Sequence, residues 1–478
     1  MKKTFISSAY IYPLCPLNIN HAKMFVIGDI IARLAKKKGK DVFFPIASHY
    51  SGNSAQNASK TFAKFFSNSN TITEEEKRTF DLYKNFYNVP TAVLKNFTNP
   101  LNILNFYNQE ILWELKSLDV SGDYESSYTT THEDFPIFIN TIISLYRKHN
   151  MLINNKNNEL ALNYEDIGWK ETTLELLNRI ELIQPFHKNN LITGMRNITS
   201  SWGLLREDGF GVIYRKKWII DPMFDSELFT IFDLYVRFKN EYKSKSVNTK
   251  DIFENLFEVL KDKEKPKYAL VKKIVEWLPC DVFICEEHLK NWVAKKLYAE
   301  SLLLDKKYQT KKYFVLGMGL LNGKKMSASK GNAILARDLI NCYGPTKARL
   351  IIIMTGGNPS KTYSYDKQLP LQIDKLLNNF TNYYTYLTSI AYKEVIANNK
   401  VDEIASVETI SKAMDNNINK GYYRQAIIEL LTIIPAKYGF PSYKTATILI
   451  PFYEKYLDIL LPSILSSFNH YKRNRKIS

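Results

Sequence analysis

The first part of the chain alternates between two hydrophobic patterns. Residues 4–12 form a largely apolar run that predicts a strand, and after a short proline-containing turn apolar residues recur at helical spacing as far as Leu34. Three lysines at residues 36–38 and Gly39 mark the end of this helix, because cations and glycine are favoured at helix C-termini. Residues 41–46 predict a second strand. Strand, turn, helix and strand constrain this part of the chain to a β-α-β unit of an α/β fold.

Two later segments extend the predicted sheet. Residues 281–284 and 313–316 are short apolar runs of the kind found in parallel strands that are buried on both faces. Together with the β-α-β unit they indicate a Rossmann-like nucleotide-binding domain. From residue 371 onward the apolar residues recur at steps of three and four, which predicts a C-terminal bundle of helices.

A loop rich in glycine, serine and lysine follows the second of these strands. Residues 323–332 contain Lys324, Lys325 and Lys330, and residues 333–340 have the pattern of a helix. Backbone amides, hydroxyls and ammonium groups can converge on an oxyanion near a helix N-terminus. The loop therefore indicates phosphate binding, although such composition is also typical of a solvated turn.

Two short motifs carry a resemblance to a known family. Residues 325–329, Lys-Met-Ser-Ala-Ser, resemble the KMSKS signature of the class I aminoacyl-tRNA synthetases, and residues 18–21, Asn-Ile-Asn-His, lie where that family has its HIGH signature. The subfamily that the chain resembles is the archaeal and eukaryotic type of leucyl-tRNA synthetase. Further similar blocks are residues 44–52, 99–103, 128–130 and 218–226.

The resemblance implies the family's architecture: a Rossmann-like parallel-sheet catalytic domain with a connective insertion and a C-terminal α-helical bundle. The expected division is residues 1–50 for the first half of the catalytic domain, 51–195 for the connective insertion, 196–320 for the second half, 321–370 for the KMSKS-like loop and a connecting segment, and 371–478 for a shortened bundle like the anticodon domain. The subfamily's editing domain and C-terminal domain are not expected.

The resemblance also implies an ATP site. In this family an amino-acid carboxylate attacks the α-phosphorus of ATP, so His21, Asn18 and Lys325 are expected to stabilise charge on the phosphates. The residues implied to contact ATP are Asn18, Asn20, His21, Glu287, Lys325, Met326, Ser327 and Ser329. For Glu287, proposed to contact the ribose, a solvated acidic turn is the alternative. Mg²⁺ is expected on the phosphates, held by ATP and water, because no carboxylate cluster forms a metal cage.

The amino-acid pocket is implied to involve Tyr12, His49 and Asp221. His49 could equally be a structural histidine. Asp221 could bind the substrate ammonium or cap the following helix, and capping is the role predicted for Asp225. Trp202 and Arg206 are interpreted as packing residues.

The sequence departs from the family pattern at three positions. Asn18 replaces the first histidine of HIGH, and its amide remains able to hydrogen bond. Asn20 replaces a glycine beside which adenine is expected to lie, so its side chain threatens to crowd the base. Ala328 replaces the second lysine of KMSKS, a loss for which Lys324 and Lys330 offer partial compensation.

The amino-acid composition limits which partners and which cellular location can be expected. The net charge of +17 suits a polyanion such as tRNA, but a codon bias toward lysine explains it equally well. No apolar run is long enough to span a bilayer. The four scattered cysteines have neither a zinc-site nor a disulfide pattern, so a cytoplasmic protein is expected.

Three functions remain open. The first is activation of leucine or a similar aliphatic amino acid followed by transfer to tRNA. The second is the same adenylation with another acceptor, such as a carrier protein, a peptide or a small amine. The third is an inactive paralogue that binds tRNA, which the changes at Asn20 and Ala328 favour.

Overall fold

The structure is a computed structural model that describes residues 2–67, 71–154, 159–182, 186–198, 200–242, 247–356, 361–391 and 401–475. The elements of its first part are β1 (Lys3–Ser8), α1 (Ile19–Lys37), β2 (Asp41–Phe43), β3 (Pro45–Ser48), α2 (Ser54–Phe66), α3 (Glu74–Asp81), α4 (Thr91–Leu94), α5 (Pro100–Ser117), β4 (Asp123–Thr129), α6 (Phe135–Lys148), β5 (Leu152–Asn154), β6 (Leu160–Leu162), α7 (Ile167–Arg179), β7 (Glu181–Leu182) and α8 (Phe186–Arg196).

The second part contains the remaining strands and all the later helices. These are β8 (Trp202–Gly203), β9 (Leu205–Arg206), β10 (Ile213–Tyr214), β11 (Trp218–Ile220), α9 (Phe229–Lys239), α10 (Thr249–Leu260), α11 (Ala269–Val275), β12 (Cys280–Cys285), α12 (Ala294–Leu303), β13 (Lys312–Leu316), β14 (Gly319–Leu321), β15 (Lys324–Lys325), α13 (Ala336–Tyr343), α14 (Pro345–Met354), β16 (Tyr363–Ser364), α15 (Leu369–Ala391), α16 (Val401–Asn419), α17 (Tyr423–Ile428), α18 (Ile434–Tyr438), α19 (Tyr443–Leu460) and α20 (Pro462–Arg475).

A five-stranded parallel sheet forms the centre of the molecule. Its strand order is β2-β1-β12-β13-β7, and each neighbouring pair is parallel. Strands β12 and β13 are almost fully buried, as expected for a sheet with helices on both faces. The predicted α/β fold with a parallel sheet is therefore confirmed.

The predicted second strand is divided between two sheets. Strand β2 pairs with β1 in the main sheet, whereas β3 pairs with β4 in a separate two-stranded sheet. The apolar run at residues 41–46 is continuous because both strands and Phe44 between them contribute to the core. The main sheet also receives its edge strand, β7, from residues that the sequence predicts to be connective insertion.

The C-terminal helices follow the predicted pattern. In α15, Phe380 and Leu387 are fully buried, and the Phe380 ring lies 5.4 Å from that of Tyr453 in α19. Buried Arg349 of α14 joins these helices to α1, since it donates to the Leu460 carbonyl (2.9 Å) and to Asp29 (2.7 Å). In the described part of the chain, no helix combines the length and apolar character needed to cross a membrane.

Candidate functional site

The two motif segments meet through their backbones. The Ile19 amide donates to the Ile334 carbonyl (2.9 Å), and the Ala336 amide donates to the Leu17 carbonyl (2.7 Å). This pairing explains why α13 begins at Ala336 and not at residue 333, where the sequence predicts its start: residues 334 and 335 pair with the segment at the start of α1. The HIGH-like turn and the end of the lysine loop therefore form one structural unit.

The buried carboxyl group of Glu114 holds both segments of this unit. Glu114 of α5 accepts hydrogen bonds from the backbone amides of Leu17 (3.0 Å) and Arg337 (3.1 Å). The Arg337 side chain returns to α5 through an ion pair with Glu110 at 2.7 Å. Burial raises the pKa of Glu114 to about 8. Helix α5 thus positions both motif segments at once.

Asn18 caps the helix that carries His21. Its side-chain oxygen accepts from the backbone amides of Asn20 and His21, both at 3.0 Å, so two of the free amides at the start of α1 are satisfied. Asn18 itself is 6% exposed. The structure thus gives the first departure from the family pattern a local structural role, and the predicted contact of Asn18 with a phosphate stays a prediction.

The lysine loop begins as a hairpin between β14 and β15. Asn322 and Gly323 both have positive φ, as a two-residue hairpin turn requires. Met326 is 3% exposed, and its amide donates to the Gly319 carbonyl at 2.9 Å. The predicted ATP contact Met326 therefore anchors the loop in the core. The hydroxyls of Ser327 and Ser329 lie 3.1 Å apart.

Ala328 lies on the inner side of this loop. Residues Ala328–Lys330 form a single 3₁₀ turn, and Ala328 is 6% exposed whereas Lys330 is exposed. The position at which the family pattern has its second lysine is therefore directed into the core in this chain. The methyl group of alanine fits there.

Glu287 brings the two predicted catalytic residues together. It follows β12 directly, at the carboxyl end of the parallel sheet, and its carboxylate forms an ion pair with Lys325 Nζ. Its Oε1 also lies 3.8 Å from His21 Nε2. The His21 ring and the Lys325 ammonium hold the pKa of Glu287 well below its usual range. All three side chains are between 36% and 49% exposed, so a ligand can reach them.

Asn20 is directed away from this trio. Its side-chain oxygen accepts a hydrogen bond from the Tyr363 hydroxyl, next to Gly319 at the start of β14. The crowding of a nucleotide base that the sequence predicts at Asn20 stays a prediction, but the amide is held by a residue of β16, the strand that pairs with β14.

A cavity of about 390 Å³ opens beside the trio. Its lining contains the predicted residues Tyr12, His49 and Glu287, so the structure brings part of the predicted amino-acid pocket next to the predicted ribose contact. The remaining lining residues are Ala9, Tyr10, Ser51, Gly52, Asn53, Ser54, Arg206, Pro222, Met223, Ser226, His288, Asn291 and Trp292.

His49 is held in this cavity by a buried aspartate. Its Nε2 lies 2.6 Å from Asp225 Oδ1, and the Ser51 hydroxyl donates to Asp225 Oδ2 at 3.1 Å. The ring stacks on Tyr10, with the ring centres 5.5 Å apart. The prediction that Asp225 caps the following helix is wrong, because the N-cap of α9 is Leu228. Asp225 instead orients the imidazole toward the cavity.

Asp221 lies behind the cavity wall. Its Oδ2 pairs with Arg206 Nη2 at 2.6 Å, and its Oδ1 accepts from the Met223 amide at 2.9 Å. Arg206 lines the cavity, and its interpretation as a packing residue stays a prediction. No local pattern indicates the pairing of Arg206 with Asp221, since Arg206 lies in a strand of a small antiparallel sheet and Asp221 in the loop after another strand of that sheet.

Among the described residues, no group of three or more histidine, cysteine, aspartate or glutamate side chains could hold a metal ion. In the trio of His21, Lys325 and Glu287, the Glu287 carboxylate already pairs with Lys325. Any divalent cation here would take most of its ligands from a bound phosphate and from water.

Comparison with known proteins gives partial matches in sequence. No family model matches the chain. The leucine–tRNA ligase 2 of Sulfolobus acidocaldarius is 30% identical over 138 residues, which are 29% of this chain and 14% of the relative. The leucine–tRNA ligase of Methanopyrus kandleri is 26% identical over 232 residues, 46% of this chain and 24% of the relative. The chain thus matches a minor part of the length of these relatives.

The match in structure extends over nearly the whole chain. The methionyl-tRNA synthetase of Mycobacterium tuberculosis, solved in complex with methionyl-adenylate, superimposes with a TM-score of 0.67 and 12% identity. The superposition covers 98% of this chain and 93% of that one. At this identity the likeness shows a shared fold.

Proposed function

We propose that this chain, a relative of the class I aminoacyl-tRNA synthetases with their fold, uses ATP to convert an amino acid to an aminoacyl-adenylate. The observation that carries the proposal is the convergence of His21 and Lys325 on Glu287. The two side chains come from segments far apart in the sequence, and they meet outside the carboxyl ends of parallel strands, where α/β sheets bind ligands.

In the proposed reaction an oxygen of the amino-acid carboxylate attacks the α-phosphorus of ATP. The bond from that phosphorus to the bridging oxygen breaks, and pyrophosphate leaves with its electron pair. His21 donates a hydrogen bond to the phosphoryl oxygens, and Lys325 balances the charge that grows on the pyrophosphate. Ser327 and Ser329 supply hydroxyl contacts on the same side.

The Glu287 carboxylate has different partners before and after ATP binds. In the structure its carboxylate neutralises Lys325. The phosphates of ATP then compete for this lysine, and the released carboxylate accepts a hydrogen bond from a ribose hydroxyl. The exposure of His21, Lys325 and Glu287 supports such an exchange. When the ion pair separates, neither Lys325 nor Glu287 is left buried with an unpaired charge.

Mg²⁺ fits the proposal as a companion of the nucleotide. The protein offers Glu287 and no carboxylate cluster among its described residues, so the ion would be held mainly by phosphate oxygens and water. When bound it would supply additional neutralisation of phosphate charge.

The amino acid lies in the cavity beside Glu287. Tyr12 and His49 line this cavity. Asp221 contributes indirectly, because it holds the cavity residue Arg206 in place. The similarity to archaeal leucine–tRNA ligases favours leucine or a similar aliphatic amino acid as substrate. A hydrophobic pocket separates side chains that differ by one methylene by only about 1–3 kcal/mol, so activation of isoleucine, valine or methionine is also expected.

The proposed acceptor is the 3′ end of a tRNA, and the net charge of +17 supports a polyanionic partner. Free cysteines support a cytoplasmic location. Charging assays with total tRNA separate this acceptor from a carrier protein or a small amine: an active adenylating protein that labels no tRNA would assign the second kind of acceptor.

Amino-acid-dependent exchange of pyrophosphate into ATP tests the adenylation itself. Exchange that requires leucine or a close analogue and is lost in His21→Ala supports the proposal. A folded wild-type protein that shows no exchange with any amino acid, with or without tRNA, would instead favour an inactive paralogue that binds tRNA.

A further inference from the structure

Asn20 and Tyr363 form a hydrogen-bonded pair at the edge of the proposed nucleotide site. Asn20 lies in the first turn of α1, next to His21, and its side-chain oxygen accepts from the Tyr363 hydroxyl. Tyr363 is 8% exposed and begins β16, which pairs with β14 of the loop hairpin. The pair therefore links the turn that carries His21 to the sheet that carries Lys325.

Gly319 makes room for this pair. A Cβ atom at Gly319 would lie 2.8 Å from Asn20 Oδ1 and 2.9 Å from the Tyr363 hydroxyl oxygen. Distances this short are not found for Cβ atoms, so a larger residue at position 319 would require Asn20 or Tyr363 to shift.

The ring of Tyr363 is held by contacts other than its hydrogen bond with Asn20. A Cβ atom at Gly356 would lie 3.0 Å from the ring, and Lys23 Nζ of α1 lies 4.9 Å from the ring centre. Burial raises the pKa of the Tyr363 hydroxyl, so the group remains a hydrogen-bond donor at neutral pH. The donor is thus preorganised for the amide oxygen.

We propose that Tyr363 is a positioning residue that holds the Asn20 amide against β14 and so keeps the first turn of α1 accessible to ATP. The inference rests on the proposed function. An asparagine without a fixed partner samples several rotamers, and within the first turn of α1 those rotamers compete with a nucleotide for the same space. The hydroxyl of Tyr363 removes this competition.

A double-mutant cycle tests the pair. Tyr363→Phe removes the hydroxyl and keeps the ring over Lys23, and we expect the Kd for ATP to rise about 3- to 10-fold, the effect of one hydrogen bond. Asn20→Gly removes the amide that must be held. The double variant N20G/Y363F is therefore expected to bind ATP with the same affinity as N20G alone.

Two readouts separate positioning from general damage. In pyrophosphate exchange, Tyr363→Phe should raise the KM for ATP while leaving kcat nearly unchanged, and Tyr365→Phe, two residues further along, should change neither. Equal losses of ATP affinity from Tyr363→Phe in the wild-type and N20G backgrounds would overturn the inference, as would an unchanged Kd in the single variant.

The binding readout also keeps the two proposals apart. A wild-type protein that binds ATP but gives no exchange contradicts the proposed adenylation, yet the cycle in Kd still decides the role of Tyr363. Exchange by the wild type together with additive single effects contradicts the role of Tyr363 alone. A wild-type protein that binds no ATP overturns both.

Discussion

The carboxylate of Glu287 forms an ion pair with Lys325 Nζ, and the same carboxylate lies 3.8 Å from His21 Nε2. Glu287 follows directly after β12, whereas His21 belongs to α1 and Lys325 to β15. One side chain therefore contacts a residue of each motif. Its displacement by phosphates would leave the His21 ring and the Lys325 ammonium facing the bound nucleotide.

Removal of either the His21 ring or the Lys325 ammonium should affect the chemical step most. We expect His21→Ala and Lys325→Ala each to lower the rate of pyrophosphate exchange by about 10²-fold or more, because each loses a donor to charge that develops in the transition state. Lys367→Ala, which removes an exposed lysine outside the site, is the charge-matched control. Normal exchange by either folded variant would remove that residue from the proposed mechanism.

Glu287 should act mainly on ATP binding. Loss of a charged hydrogen-bonding group in Glu287→Ala is expected to raise the KM for ATP about 10- to 100-fold, with a smaller change in kcat. Glu286→Ala changes the preceding residue of the same turn and should have little effect. A KM for ATP that is equally raised in both variants would show that the turn, and not the Glu287 carboxylate, is responsible.

Replacement of Ala328 by the lysine of the KMSKS pattern should not increase the activity of the protein. Ala328 is 6% exposed, so the longer side chain of Ala328→Lys has to be accommodated in a packed position, at an expected cost of about 1–3 kcal/mol in the free energy of unfolding. Ser364→Lys adds the same charge at an exposed position and should leave stability unchanged. Faster exchange by the Ala328→Lys variant, measured beside chemical denaturation, would contradict this interpretation.

The pair of His49 and Asp225 should matter for the amino acid and not for ATP. Asp225→Asn keeps the size of the side chain but removes the charge that orients the ring, so we expect a higher KM for the amino acid at an unchanged KM for ATP. Asp208→Asn, at an exposed position, is the control. If both KM values rise together in the Asp225 variant, the pair supports the whole site and not the amino-acid pocket.

Glu114 should make stability depend on pH in a defined window. Burial raises the pKa of this carboxyl to about 8 in the folded protein, above its value in the unfolded chain. The folded state therefore binds more protons, and the contribution of Glu114 is complete below the unfolded pKa and is lost as the pH rises through about 8.

The matched variant is Glu114→Gln, which cannot ionise. The difference in unfolding free energy between wild type and variant should shift against the wild type as the pH rises from about 5 to 8, by at most about 1.4 kcal/mol per pH unit. Denaturant unfolding at a series of pH values measures it. A difference that stays constant across this window would contradict the raised pKa.

The sequence was sufficient for features that depend on local patterns. Helix α1, strands β12 and β13 and the lysine loop could all be predicted, because periodicity, end signals and short motifs are read within a few residues. The meeting of the two motif segments could be expected from the resemblance to a known family, and the structure shows the backbone pairing between them.

Contacts between distant segments could not be predicted. Nothing near Asn20 indicates that Tyr363 will hold it, and nothing near Leu17 indicates Glu114, because these partners meet only after the chain has folded. The same reason applies to Asp225. An aspartate before a helix predicts an N-cap, but in the folded chain this carboxyl group contacts His49, which follows β3.

The most direct test of the proposed function is a single-turnover reaction with stoichiometric protein, ATP, Mg²⁺ and a mixture of all twenty amino acids, without tRNA, analysed by mass spectrometry for aminoacyl-adenylates. We predict one dominant adenylate, of leucine or a similar aliphatic amino acid, that is strongly reduced in Lys325→Ala. The absence of every aminoacyl-adenylate, from folded protein shown to bind ATP, would contradict the proposed adenylation.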